Sequence, residues 1–306
     1  MLRYILKRLL NALLVLLGLS LIVFITLRLT GDPVAMLLQA GSPSKSDIAE
    51  MRRLLDLDQP LPIQYVSFVG KALTGDFGRS FHYSTPALGL VLERMPATLT
   101  LTLSAMAVAL VLAFPLGIIS ALNRGKFLDF VSQTISLLGV SMPNFWFGIL
   151  LILIFGVSLQ WLPVSGSDGP EYLIMPSIAL GIPLMAVLAR ILRSSMLEVL
   201  NADYIRTARS KGLAKSTVII RHSVRNALIP VVTIIGLQFG TLLGGAVIVE
   251  TVFSWPGIGR LAVDSIGSRD YPVVQASVLL LGAILVIVNL IIDILYTVID
   301  PRIGYK

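Results

Sequence analysis

Apolar positions dominate this chain in blocks too long for a soluble core. The first runs from Leu9 to Leu27 behind Arg3, Lys7 and Arg8. As a helix those residues rise about 28 Å, close to the thickness of a bilayer's hydrocarbon core. Five further blocks of similar character cover 98–122, 132–158, 173–192, 231–250 and 276–298. The pattern predicts an all-α integral membrane protein with six transmembrane helices. Two stretches depart from it. Residues 31–94 are mixed in character, and 201–230 are polar and basic.

The first block reads as a membrane helix rather than a leader, because Arg28-Leu-Thr-Gly-Asp-Pro33 offers no small-residue cleavage site. After it, Gly31-Asp32-Pro33 predicts a helix end. Ser44 to Leu57 has the spacing of a short amphipathic helix, a second amphipathic piece covers 63–73, and Gly75-Asp76-Phe77-Gly78 predicts a turn. Together these describe a small folded external segment. In the second polar stretch, Asn201 or Asp203 suits a helix N-cap and Gly212 a stop. A second helix is expected from about Ser216 to Pro230.

Composition agrees. Hydrophobic residues make up 56% of the 306 and charged ones 13%, with a mean hydropathy of +0.88, more than a soluble fold of this length could cover. The net charge is +7, and its distribution says why. Arg3, Lys7, Arg8, Arg124, Lys126, Arg190, Arg193, Arg206, Arg209, Lys211, Lys215, Arg221, Arg225, Arg302 and Lys306 fall on one side of a six-span arrangement. Most of the 17 acids fall on the other. This is the bias of a protein with both termini inside. The basicity is therefore a topology signal and points to no nucleic-acid partner.

Within the blocks, Pro115, Pro143, Pro176 and Pro183 each invite a kink, and Ser141-Met142-Pro143-Asn144 sets a polar break inside the third. Met142, Pro143, Asn144 and Phe145, with Gln238 from the fifth block, are the candidate pathway residues. Asn289, Asp293 and Tyr296 share one face of the last helix. An acid there is costly unless paired. Structural pairing is favoured over a proton relay. Gly236, Gly240, Gly244 and Gly245 form a small-residue stripe read as a packing surface. Trp255, in the turn-rich run Glu250 to Gly259, suits an outer interfacial position.

Chemistry is conspicuously missing. There is no cysteine, and the two histidines, His82 and His222, fall on opposite sides, so no metal site is expected. No phosphate-cradling loop, nucleophile elbow or paired-histidine motif occurs. An enzyme has almost no residues to stand on. A proton-driven secondary transporter would rest on Asp293. A membrane-tethered DNA binder would rest on the basic helix-turn-helix, where Val218-Ile219-Ile220 and the short tethers make groove entry awkward.

The polar loop resembles the signature of permease subunits of binding-protein-dependent ABC importers. That signature reads Glu-Ala-Ala, three residues, Gly, nine residues, then Ile-x-Leu-Pro. Gly212 and Ala208 match it. Arg206 stands at the glutamate and Thr207 at the first alanine, while His222, Val224 and Arg225 replace Ile, Leu and Pro. The departures resemble the dipeptide/oligopeptide/nickel branch: Asp203-Tyr-Ile-Arg-Thr-Ala-Arg-Ser-Lys-Gly-Leu213, Arg221-His222 and Arg225-Asn226-Ala227-Leu228-Ile229-Pro230. Gly75 to Gly78, Arg193 to Met196, Glu250 to Gly259, Arg269-Asp270-Tyr271-Pro272 and Asp300-Pro301-Arg302 look like the first of that branch's two paired permeases. The C-terminal third is most similar to its glutathione and dipeptide members.

The resemblance implies a type I importer permease fold: an N-terminal helix over 1–30, a periplasmic segment over 31–94, a permease domain over 95–299 and a cytoplasmic tail over 300–306. Residues 193–230 would be the coupling loop, gripped by one of two cytoplasmic ATPases that bind ATP and Mg themselves. Its contact residues would come from Asp203, Tyr204, Arg206, Thr207, Ala208, Lys211, Gly212, Arg221, His222, Arg225 and Asn226. A homologous second permease, a periplasmic binding protein and inner-membrane lipid complete the implied partners, with small peptides as cargo and nickel the alternative.

Overall fold

A computed structural model describes residues 2–29 and 57–299, with side chains over 8–29 and 57–292. The Gly31-Asp32-Pro33 turn, the helix expected from Ser44 (Leu57 apart), the 300–306 tail and the side chains of Asp293 and Tyr296 lie outside the described residues. The described residues are almost wholly helical. In chain order the helices are α1 (Leu2–Leu29), α2 (Leu61–Leu73), α3 (Ala87–Leu122), α4 (Phe127–Ser141), α5 (Asn144–Ser158), α6 (Pro170–Leu200), α7 (Asp203–Ser210), α8 (Lys215–Val252), α9 (Ile258–Gly267) and α10 (Tyr271–Ile299).

Five of these contain stretches long and apolar enough to cross a membrane, and α4 with α5 makes the sixth if the pair is one span. The break expected inside the third block is there, and it is sharp: the axes of α4 and α5 differ by 106°. Pro143 has no N–H to continue α4, and its extended backbone (φ −61°, ψ 136°) starts α5 in a new direction. Pro115, Pro176 and Pro183, by contrast, sit inside unbroken helices, Pro176 near the start of α6 where its missing N–H costs little.

Contacts divide the described residues into two units. One contains the chain to Thr98 together with Pro256–Leu290. In it, amphipathic α2 lies on α1: Phe24 packs edge-on to Tyr65 and stacks on Phe68, while Ser20 and Tyr65 share a 3.0 Å hydrogen bond. Arg28 donates to Gln64 at 2.8 Å with its guanidinium 5.0 Å above the Phe24 ring. The turn at Gly75–Gly78 forms as expected, with φ +79° and +84° at its glycines and Gly78 N–H donating to Asp76. An apolar core joins Ala87 and Val91 of α3, Ile258 and Leu261 of α9, and Val273 and Ala276 of α10. The Thr98 hydroxyl accepts the Ile258 N–H at 2.8 Å, capping α9 from another helix.

Buried Asp270 fastens the loop before α3 in the same unit. Its carboxylate accepts the Ser80 hydroxyl and the Phe81 and His82 N–H groups. Replacing it leaves the buried Ser80 hydroxyl without its acceptor, at about 1–3 kcal/mol, and frees two partly buried N–H groups. Asp270→Ala is expected to lower the melting temperature of the detergent-purified protein by several degrees; Asp270→Asn, which keeps one acceptor, should lose less. Equal melting of all three proteins would remove this fastening.

The second unit contains Leu99–Trp255 and, of the last helix, residues 291–299. Its centre is the crossing of α3 and α6. Ala105, Ala109, Ala113 and Ala121 of α3 are buried. A Cβ on Gly181 would stand 2.6 Å from the Ala105 carbonyl oxygen, and one on Gly117 2.9 Å from that of Ala189. Backbones meet here with nothing between them. α4 joins the same body, with Gly139 against Ile182 and Ala186. Trp255 is buried rather than interfacial, because the turn after α8 folds back (Ser254 φ +53°, Trp255 N–H to Glu250 carbonyl at 2.8 Å). The exposed tryptophans of this unit are Trp146 and Trp161.

Candidate functional site

The polar loop is built from α7 and the start of α8. α6 hands over to α7 through Asn201 and Ala202 alone, whose N–H groups bond to Glu198 and Val199. The N-cap is Ala202, not Asn201 or Asp203. Asn201 closes α6 instead, its amide donating to the Leu197 carbonyl at 2.9 Å. Ile205 and Ala208 on the inner face of α7 are buried with Val218 of α8 and pack against Val199. Ala208 thus holds the helix in place and is not on its presented face.

The outer face of α7 carries exposed Asp203, Tyr204, Arg206 and Thr207, with exposed Lys211 following it. Arg206 and Asp203 stand 3.9 Å apart in solvent, and the Thr207 hydroxyl turns back to the Asp203 carbonyl. Gly212 ends the helix in a left-handed conformation (φ +75°), its N–H on the Arg209 carbonyl. No described residue lies within 4 Å of where its Cβ would be, so among the described residues only conformation demands glycine.

Two features of α8 differ from expectation. Val218–Val224 is π-helical, with the buried Ser223 hydroxyl bonding to the Val218 carbonyl five residues back. The wider turn changes how Arg221 and half-buried His222 are presented relative to exposed Arg225 and Asn226. Helix α8 also runs through Pro230 instead of stopping there. Proline removes one helical hydrogen bond, which a long span tolerates.

A second feature is a cavity of about 110 Å³ between α4, α5, α6 and α8. Asn144, Gln238 and Thr241 give it polar lining against Leu180, Pro183 and Leu184. Thr241 donates to Gln238 at 3.4 Å. The structure therefore brings Asn144 and Gln238 together. Met142 and Pro143 form the break that aims Asn144, and Phe145 is exposed outside the cavity. Asn289 is exposed.

Sequence reasoning missed Asp129. It is buried in the first turn of α4 and held by Arg193 of α6 through two bonds of 2.8 and 2.9 Å. Ser120, Gln133 and the Gly125 N–H also donate to it. Only an acid in a first helical turn beside Gly125 signals it in the sequence; its partner lies 64 residues away.

Residues 113–305 match the family described as binding-protein-dependent transport system inner membrane component, and residues 1–102 match the N-terminal region described for such membrane components. The chain is 44% identical over 308 residues to the glutathione transport system permease protein GsiC of Escherichia coli (strain K12), covering both chains completely. It is 45% identical over 307 residues to the protein of that name from Salmonella choleraesuis (strain SC-B67), again over the whole of both. Among solved structures, the MetNI methionine ABC transporter in inward-facing form matches with a TM-score of 0.55 at 16% identity, over 69% of this chain and 96% of that one. An amino acid ABC transporter crystallised with histidines matches with a TM-score of 0.52 at 19% identity, over 70% and 94%. At those identities the two structures speak for the fold alone.

Proposed function

The chain belongs to the binding-protein-dependent transport system inner membrane components, the permease subunits of ABC importers, and from that premise we propose that it carries glutathione or similar small peptides across the bacterial inner membrane. The observation that carries the reading is α7. It is a short cationic helix held rigidly at the surface by a buried apolar strip, with its polar face unoccupied by the described residues of its own chain. A face with one aromatic and several cations is suited to docking on another protein.

In this reading 193–230 is cytoplasmic and couples to one of two ATPases, which bind ATP and Mg. A homologous permease supplies the other half of the pathway and a periplasmic binding protein delivers cargo. Closure of the ATPases pulls the coupling helices together and alternates access to the pathway. The cavity at Asn144, Gln238 and Thr241 belongs to that pathway. Amides and a hydroxyl can exchange hydrogen bonds with a peptide without fixing a charge, so passage is not stalled by tight binding.

The test is uptake in proteoliposomes containing this subunit with the paired permease and ATPases encoded beside it. Labelled glutathione, a dipeptide and Ni²⁺ are offered through the cognate binding protein. ATP-dependent accumulation of glutathione or dipeptide is expected, with none from a proton gradient alone. Gradient-driven uptake by this subunit without ATPases would overturn the proposal. Accumulation of Ni²⁺ alone would overturn its cargo.

A further inference from the structure

We propose that the Asp129–Arg193 pair is a positioning clasp that fixes the coupling loop to the body of the permease. The clasp draws on four segments at once. Its carboxylate accepts the Ser120 hydroxyl near the end of α3, the Gly125 N–H in the α3–α4 turn, the Gln133 amide of α4 and two bonds from the Arg193 guanidinium of α6. Both Asp129 oxygens are used by Arg193, a bidentate pairing that fixes direction as well as distance.

Its place in the chain gives the pair its role. Arg193 lies two helical turns before the end of α6, and only Asn201 and Ala202 separate that end from α7. α7 is in turn packed on Val199 of α6 through Ile205 and Ala208. A displacement of α7 is therefore delivered to the last turns of α6. The next stretch of the body is an apolar contact, where Gly117 meets Ala189 and Leu192. Such a surface transmits pushing but resists sliding poorly, because apolar contacts are non-directional. The clasp supplies the directional link, so that α3, α4 and α6 move as one element with the loop. On the coupling reading of 193–230, from which the transport consequence follows, a loosened clasp lets ATP turn over without moving the pathway.

Asp129→Asn keeps the shape and removes the charge, and Arg193→Lys keeps the charge and loses the two-point grip. In the reconstituted complex both are expected to assemble with the ATPases and hydrolyse ATP within about twofold of wild type. Uptake per ATP hydrolysed should fall at least tenfold. A purely structural role would lower both activities together, in proportion to the complex recovered, and that result or an unchanged ratio overturns the clasp. Should Asp129→Asn fail to accumulate, Ser120→Ala and Gln133→Ala each remove one bond while leaving the ion pair; each is expected to lower the ratio, and no change in either overturns the proposal.

A second measurement needs no ATPase. The chain has no cysteine, so spin labels at Arg124→Cys and Ser210→Cys report the distance from the α3–α4 turn to α7. A narrow distribution in the parent and a broadened one with Asp129→Asn are expected; identical distributions overturn the clasp. If the ATPases do not bind this subunit, the coupling reading fails while the label distances still judge the clasp.

Discussion

Gly181→Val is expected to abolish accumulation of folded protein, and Gly181→Ala to reduce it severely. A Cβ at residue 181 would stand 2.6 Å from the Ala105 carbonyl oxygen, 3.4 Å from its carbon and 3.5 Å from the Ala109 nitrogen. All three are backbone atoms, so no side-chain rotation relieves the collision. Nor can α3 retreat locally, because Ala105, Ala109 and Ala113 are all buried on that helix. A second contact pins the helices further along, where Gly117 faces Ala189. The contacts fall in the same order along α3 and α6, so the two run side by side in one direction and must separate together. Overpacking a core typically costs about 1–3 kcal/mol, and separating two backbones exceeds the ordinary case. Fluorescence-detected size-exclusion of a tagged protein measures the outcome. Gly89→Ala, with no described residue within 4 Å of its Cβ, is the control and should accumulate normally. A normal monodisperse yield of Gly181→Val would show that the crossing is not the core of this unit.

That crossing was open to sequence reasoning. Ala105, Ala109, Ala113, Gly117 and Ala121 recur every fourth residue, the spacing that lines up one helix face. The glycine stripe of the fifth block is the more obvious pattern in the sequence. Within it Gly236 does press on Ile292, and Gly245 on Leu180 and Asn144, yet Gly244 faces open space. Spans are legible because lipid demands long apolar helices whatever their neighbours do. Directions are not legible in the same way. Ser141-Met142-Pro143 announces a break, but its 106° angle depends on what α4 and α5 pack against. Pro230 shows the reverse: a strong local stop overridden because α8 is held as one long helix. Asp129 is the extreme case. Its meaning lies chiefly in Arg193, 64 residues away, and no local pattern pairs the two. In the candidate loop, α7 and its glycine turn could be read from spacing, while the π segment at Val218–Val224 left no comparable mark.

Gly212→Val and Arg206→Glu are each expected to cut ATP-driven uptake at least tenfold while the subunit still inserts and folds. The glycine sits at φ +75°, a conformation costly for most side chains and most costly for a β-branched one. Because no described residue lies within 4 Å of its Cβ position, the substitution disturbs no packing among the described residues. The penalty therefore falls on the path of the chain between α7 and α8, and on whatever docks over it. Asparagine separates these two effects, since it tolerates the left-handed region far better than valine. If backbone direction is what matters, Gly212→Asn retains most uptake; if a partner's groove closes on this turn, Asn fails with Val. Arg206 is exposed beside Asp203, so glutamate there also places two like charges on one face. Like-charge contact across an interface is worth several kcal/mol, enough to detach a partner whose groove is acidic. Capture of the ATPases by the tagged subunit measures this directly, and Arg206→Gln should bind between the wild type and Arg206→Glu. Full uptake by Gly212→Val and Arg206→Glu alike would mean that α7 is an idle connector, and the coupling of this permease to ATP would have to be sought elsewhere on its surface.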